Sequence, residues 1–253
     1  MIRYAFATIG ILALGLAGCA SNDNVSEPQP DRASEINLEI GIDHFRKGNL
    51  PQAKEKIDRA LDQNPRNAKA HMAAGLLYDR LGDMKKADSH FDRALSLDGK
   101  NPDIANNYAA FLCRNARYER GEKFALEAAN NLLYKTPEIA FVNAGSCARA
   151  NNNLPRAEEH FRKALSVQPR FGEALFAMAE LELDQKNYLG ARAFLERFMA
   201  VSRTSPSTLW LGVRIERGLG NAAAANQYAQ RLKNEYPSAP ETKQLLQSDR
   251  NPG

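Results

Sequence analysis

The sequence predicts an all-α fold built as a row of paired helices, and three observations support this. Alanine, the strongest helix former, occurs 39 times, whereas the strand-favouring Val, Ile and Thr occur 5, 10 and 5 times in 253 residues. Small residues recur along the chain with a period near 34 residues. Apolar residues make up 43% of the chain and charged residues 25%, a balance typical of a protein that buries a core. Sheet-dominated folds and wholesale disorder are therefore excluded.

The period places a small residue in the second helix of six successive pairs: Ala53, Ala87, Gly121, Ala157, Ala191 and Ala224. Thirteen residues earlier, each first helix has a residue that is followed by Gly or Ala: Ile40, Ala74, Tyr108, Ala144, Met178 and Leu211. With Pro65 and Pro169 near the ends of second helices, this pattern resembles the tetratricopeptide repeat (TPR). The resemblance implies an α-solenoid of about six repeats, a right-handed superhelix of helix-turn-helix pairs that share one core.

The N-terminal segment has the order of features of a bacterial lipoprotein signal. Arg3 precedes an apolar stretch over residues 5–17, which is too short for a permanent membrane span. Residues 16–19 (LAGC) resemble a lipobox, which implies acylation of Cys19 and anchoring by lipid. The residue after the cysteine is Ala20 rather than Asp, which implies the inner leaflet of the outer membrane, with the body in the periplasm. The alternative is an ordinary signal peptide with a cysteine near its cleavage site.

The predicted organisation has four parts. Residues 1–18 form the signal peptide, and residues 19–33 hold the lipidated cysteine and a polar, flexible tether. Residues 34–239 form the repeats, and residues 240–253 form a C-terminal capping helix and tail. The predicted repeat boundaries are 34–67, 68–101, 102–137, 138–171, 172–204 and 205–239.

Composition and motifs give no support for catalysis or nucleic-acid binding. The formal net charge is only +4, and no metalloprotease, nucleophile-elbow or phosphate-loop motif is present. The four histidines, His44, His71, His90 and His160, are expected to be structural, and His90 and His160, which share a repeat position, lie two repeats apart. We therefore expect a protein that is not an enzyme and that needs no cofactor or metal.

The two remaining cysteines, Cys113 and Cys147, lie 34 residues apart, on the first helices of adjacent repeats. They are offset by about half a turn in the repeat frame, so a bridge requires a favourable local rotation. The alternative is two buried thiols, the usual state of unpaired cysteine. Export to an oxidising compartment favours a disulfide, which would clamp the third repeat to the fourth.

A concave groove lined by first helices is the predicted partner-binding surface. The inward positions of the repeat pattern select Leu38, Ile42, Phe45, Met72, Leu76, Asn106, Ala110, Ile139, Val142 and Phe176. The first two repeats thereby offer an apolar strip, which either marks a partner site or is covered by an N-terminal helix that folds back. The amide of Asn106 is expected either to hydrogen-bond an extended peptide backbone or to face water.

The segments Asn106–Cys113 and Asn143–Cys147, together with the lipobox and six repeats, resemble the PilF/PilW lipoproteins of type IV pilus biogenesis, and the neisserial PilW-like members most closely. This resemblance covers essentially the whole chain. It implies a non-enzymatic pilotin-like scaffold that supports assembly or localisation of the outer-membrane secretin, or stability of the pilus fibre. Its partners would be other pilus biogenesis proteins and outer-membrane lipid, without nucleic acid, and a monomer is favoured. The alternatives are a TPR lipoprotein adaptor for peptidoglycan synthesis or outer-membrane protein assembly, and a periplasmic subunit or regulator of a partner enzyme.

Overall fold

The structure, a computed structural model, describes residues 30–250, and every regular element in this range is a helix. Six antiparallel pairs follow one another, and a thirteenth helix closes the array. The helices are α1 (Pro30–Arg46), α2 (Leu50–Gln63), α3 (Ala68–Arg80), α4 (Met84–Leu97), α5 (Pro102–Arg114), α6 (Tyr118–Ala129), α7 (Pro137–Ala150), α8 (Leu154–Val167), α9 (Gly172–Asp184), α10 (Tyr188–Met199), α11 (Pro206–Gly218), α12 (Ala222–Glu235) and α13 (Pro240–Arg250). This arrangement confirms the predicted all-α solenoid of helix pairs.

A three-residue turn joins the two helices of each pair, and its middle residue has a left-handed backbone. Glycine supplies this conformation at Gly48, Gly82 and Gly220, with φ of 78°, 80° and 70°. In four pairs an asparagine or aspartate side chain then accepts the backbone N–H of the third residue of the second helix, and so caps its N-terminus. The turn sequence thus sets both the reversal of the chain and the start of the next helix.

Close approach within a pair depends on a small residue in the first helix that faces a large one in the second. A Cβ added at Gly75 would lie 2.9 Å from the ring of Phe91, and one added at Gly41 would lie 2.8 Å from Ile57. These distances are shorter than ordinary van der Waals contact, so only glycine fits. The sequence pattern of small residues therefore records where two helices touch.

Tyr108 ties the second repeat to the third. Its ring stacks on Phe91 with centroids 5.2 Å apart, and it is fully buried. Its hydroxyl lies 2.7 Å from Asp88 Oδ1 and 2.8 Å from Asp92 Oδ1, and Arg117 pairs with Asp88. Burial, together with these carboxylates, raises the pKa of Tyr108 far above its usual range, so the hydroxyl stays protonated and donates a hydrogen bond to a carboxylate.

In residues 30–250, the apolar core consists of successive clusters of buried side chains along the array. At the C-terminal end, α13 packs on α11 and α12 and buries Leu245 completely. This described part of the chain therefore contains the apolar core that it needs to fold by itself. Between residues 30 and 250, no helix is long and apolar enough to cross a membrane.

Candidate partner-binding surface

The first helices form one face of the array, because α1, α3, α5 and α7 each pack against the next first helix. Polar side chains one repeat apart connect them across this inner face. The connections are Arg114 Nη2 to Asp79 Oδ2 at 2.5 Å, Asn143 Nδ2 to Asn106 Oδ1 at 2.8 Å, and Arg149 Nη1 to Glu180 Oε2 at 2.6 Å with Arg149 Nε to Asp184 Oδ2 at 2.8 Å. The inner face is therefore cross-braced by its own side chains.

The ten predicted groove residues do not form a single exposed strip. Two of them are buried: Leu38 is 5% exposed within the core of the first repeat, and Asn106 is 7% exposed. Ile139 is 38% exposed. The others are half-buried at the surface: Ile42, Phe45, Met72, Leu76, Ala110, Val142 and Phe176.

Asn106 requires a correction, because its amide is used inside the protein. Its Nδ2 donates to Tyr134 Oη at 3.0 Å, and its Oδ1 accepts from Asn143 Nδ2. Asn107 donates to the backbone oxygen of Asp103 at 2.8 Å. Asn106 therefore joins the third repeat to the fourth and does not present hydrogen-bonding groups to a ligand.

A cavity of about 690 Å³ lies at the N-terminal end of the inner face, between α1 and α3. Leu38 and Ile42 form its apolar part, and Lys69 is its one basic side chain. Four carboxylates also line it: Asp31, Glu35, Glu39 and Asp98. An apolar floor with an acidic rim suits a partner segment that is both apolar and basic.

The outer side of α1 adds apolar surface beside this cavity. Ile36 and Ile40 are 49% and 39% exposed. Their counterparts one repeat later, Ala70 and Ala74, are fully buried at the contact with the preceding repeat. The isoleucines are exposed because no described repeat precedes α1, a consequence of position that the periodic pattern does not reveal.

A second cavity of about 470 Å³ lies between α7, α9, α10 and α11. Val142 and Phe176 line it as predicted groove residues, and the ring of Phe198 lies 5.2 Å from that of Phe176. The rim carries hydroxyl groups, including those of Ser202 and Thr208. The sequence did not identify Phe198, because it lies in the last turn of the second helix α10 and the prediction considered only first helices.

Cys113 and Cys147 lie together on α5 and α7, joined as a disulfide with Cα atoms 5.2 Å apart. The offset in the repeat frame does not keep them apart. Gly121 of α6 lies against this pair, and a Cβ there would lie 2.5 Å from Cys113 Sγ and 3.2 Å from Cys147 Sγ. The third repeat therefore has glycine where four other repeats have a buried alanine.

His71 and His90 lie together within the second repeat, whereas His44 and His160 lie in other repeats. His71 Nδ1 and His90 Nδ1 are 3.0 Å apart, while His71 Nε2 faces the backbone oxygen of Pro65 at 3.1 Å. Burial lowers the pKa of both imidazoles. The buried His160 contacts Glu122 at 2.8 Å. Across residues 30–250, no group of three or more His, Cys, Asp or Glu side chains is placed to hold a metal ion. Cys19 and the signal segment lie outside the described residues.

Comparison with known proteins identifies the repeat family and, within it, a group of similar proteins. The tetratricopeptide repeat family matches residues 38–103 and 142–202. The type IV pilus assembly protein PilF of Pseudomonas aeruginosa is 28% identical over 237 residues, which are 92% of this chain and 94% of that protein.

Two solved structures extend this likeness to three dimensions. The crystal structure of PilW, described as a widely conserved type IV pilus biogenesis factor, has a TM-score of 0.79 at 29% identity and covers 84% of this chain and 98% of its own. That of Pseudomonas aeruginosa PilF has a TM-score of 0.74 at 28% identity and covers 87% and 99%. The chain thus belongs to the tetratricopeptide repeat family and is a homologue of PilF and PilW.

Proposed function

We propose that this protein is a scaffold for type IV pilus biogenesis, anchored by lipid at Cys19 to the outer membrane and facing the periplasm. It would act by binding proteins, and its main task would be to support assembly and localisation of the outer-membrane secretin. Likeness to PilF along 92% of the chain is the observation that carries this proposal. Stacked helix pairs with a concave face are a fold suited to protein binding.

The partner-binding surface that the structure supports best lies at the N-terminal end of the inner face. It combines Ile42 and the acidic cavity with the exposed Ile36 and Ile40 on the same helix. Buried apolar contacts would supply affinity, while the carboxylates would select for basic residues in the partner. The cavity beside Val142 and Phe176 is a second, less charged contact region.

The test is photo-crosslinking in cells, with a photoreactive residue at Ile42 or Val142 of the full chain. The matched control is Arg93, which is exposed on the second helix α4. We expect Ile42 to capture a segment of the secretin, or a protein that accompanies it, and Arg93 to capture neither. Cys19→Ser should preserve folding but remove the protein from the outer-membrane fraction.

Loss of the protein tests the pathway itself. A strain without the chain should have few surface pili and few secretin multimers, and the wild-type gene should restore both. Normal pili and normal multimers would refute the proposal. Altered cell-wall crosslinking in the same strain would instead support an adaptor in peptidoglycan synthesis.

A further inference from the structure

One edge of the described array carries a row of exposed, unpaired basic residues. The paired helices are antiparallel, so the connections between repeats all lie at one edge and the turns within pairs lie at the opposite edge. Each connection between repeats contains one exposed basic residue: Arg66, Lys100, Lys135, Arg170 and Arg203. None of these five side chains forms an ion pair with another described residue. We call this the connection edge.

Carboxylates do not balance this row within the connections. The connections contain one acidic residue, Asp98, which accepts a hydrogen bond from Asn101 at 3.0 Å. Other exposed carboxylates at this edge lie in the adjoining helix turns: Asp31, Glu35, Asp62, Asp103 and Glu173. Charges act over about 10 Å at ordinary ionic strength, so these carboxylates weaken the attraction near α1, α5 and α9, and the basic residues beside the apolar side chains of the α6–α7 connection matter most.

The same edge carries the most exposed apolar side chains of the described chain. Leu132 is 100% exposed and Leu133 is 86% exposed, both in the connection between α6 and α7. Lys135 follows them in the same connection. Two leucines with this exposure are costly in water unless another apolar phase covers them.

Hydrogen bonds hold this connection in place at both ends. Leu133 N donates to Asn131 Oδ1 at 2.9 Å, and Asn131 Nδ2 donates to the backbone oxygen of Lys100 at 3.1 Å. At the other end, the hydroxyl of Tyr134 accepts from Asn106. The two leucines are therefore presented by an ordered loop, with a lysine in the same connection and another in the adjacent one.

We propose that the connection edge docks onto an anionic phospholipid surface. Leu132 and Leu133 enter the headgroup region, and the basic residues lie over the phosphates. Cations spread over five repeats match a broad, flat, negatively charged surface better than a compact pocket on a protein. The described chain also begins at this edge, at Pro30. Lipid at Cys19 would strengthen this docking, but the docking does not depend on it.

The test is flotation of the chain from Ala20 onward, which keeps the whole described core but lacks the signal segment and the Cys19 thiol. Vesicles of phosphatidylcholine with phosphatidylglycerol are compared with vesicles of phosphatidylcholine alone. We expect binding to the anionic vesicles at low salt, little binding to the neutral ones, and release at high salt. No flotation with anionic vesicles at low salt would refute the proposal.

Paired variants identify the edge. Lys100→Gln with Lys135→Gln should lower the binding constant about 25-fold, at about fivefold for each basic residue. The matched control, Lys85→Gln with Lys186→Gln, removes two exposed lysines without an ion pair in the described chain from the opposite edge and should change binding little. Equal losses for both pairs would show attraction without an oriented edge and would overturn the proposal.

The leucines have their own control. Leu132→Ser with Leu133→Ser should reduce flotation, whereas Leu81→Ser with Leu189→Ser, which changes two leucines at the opposite edge, should not. If the first variant floats as wild type does while a photoreactive residue at Leu132 captures a protein in cells, this edge binds protein and the proposal is wrong. Piliation of the same variants reports on the proposed function separately.

Discussion

Replacement of Gly121 by alanine should be harmful only while the disulfide is present. The new Cβ would lie 2.5 Å from Cys113 Sγ, whereas unstrained contacts between heavy atoms are about 3.5–4.0 Å. The sulfur cannot swing away because it is bonded to Cys147, and the backbone oxygen of Ala109 lies on another side at 3.1 Å. We therefore expect Gly121→Ala to destabilise the oxidised protein by about 3 kcal/mol, the upper part of the range for overpacking.

The same change should be nearly neutral without the sulfurs. In a Cys113→Ala, Cys147→Ala background the closest contact left is the Ala109 oxygen at 3.1 Å. Alanine also gains about 0.5–1 kcal/mol over glycine within a helix. The interaction energy between Gly121→Ala and removal of the disulfide is thus expected at about 2–4 kcal/mol. Removal of the disulfide alone should cost about 4 kcal/mol, because it opens a loop of this length in the unfolded chain.

Urea denaturation followed by circular dichroism, on the four chains of this cycle, measures the interaction energy. Gly75→Ala is the control, because its Cβ would meet Phe91 and not the cysteines. It should cost the same in both backgrounds. An equal cost for Gly121→Ala in both backgrounds would refute the explanation given for this glycine. An unchanged midpoint after reduction of the wild-type chain would show that the disulfide does not form.

Three further predictions concern stability. Tyr108→Phe should cost about 1.5–3 kcal/mol in urea denaturation, because Asp88 loses a buried donor, and an unchanged midpoint would contradict this. Burial lowers the pKa of His71 and His90 in the folded state. The folding free energy gained by burying the two neutral imidazoles is therefore fully present above their unfolded pKa and is lost as pH falls through the lower folded pKa. Thermal melting should occur at lower temperature at pH 5 than at pH 7, with a smaller difference in His90→Gln. Leu245→Ala should cost about 2–5 kcal/mol locally, with hydrogen exchange faster in α12 and α13 but not in α3.

Repeat spacing predicted the helix pairs because it reflects a contact inside each pair. Gly75 faces Phe91 through a separation of 16 residues, and Gly145 faces Phe161 through the same separation. Such contacts recur in every repeat, so one sequence contains enough copies to reveal them. The alternation of first and second helices follows from this spacing.

The details of the inner face could not be read in the same way, because they depend on residues that occur once. Asn106 occupies an inward position by period, but the two extra residues before the fourth repeat bring Tyr134 within hydrogen-bonding distance of it. The same extra length contains Leu132 and Leu133, which no repeat template covers. A repeat pattern contains no information on features that occur only once, although these features decide which surface is available to a partner.

The cross-braced inner face has a mechanical consequence. Arg114, Asn143 and Arg149 each connect neighbouring first helices from α3 to α9, and the disulfide adds a covalent link at the centre. The packing of first helices weakens between α9 and α11, where the irregular segment 200–205 intervenes. Under mechanical load, the repeats up to α9 would resist bending, and deformation would be concentrated between α9 and α11. Bending would therefore change the orientation of the last repeat before it altered the curvature of the others.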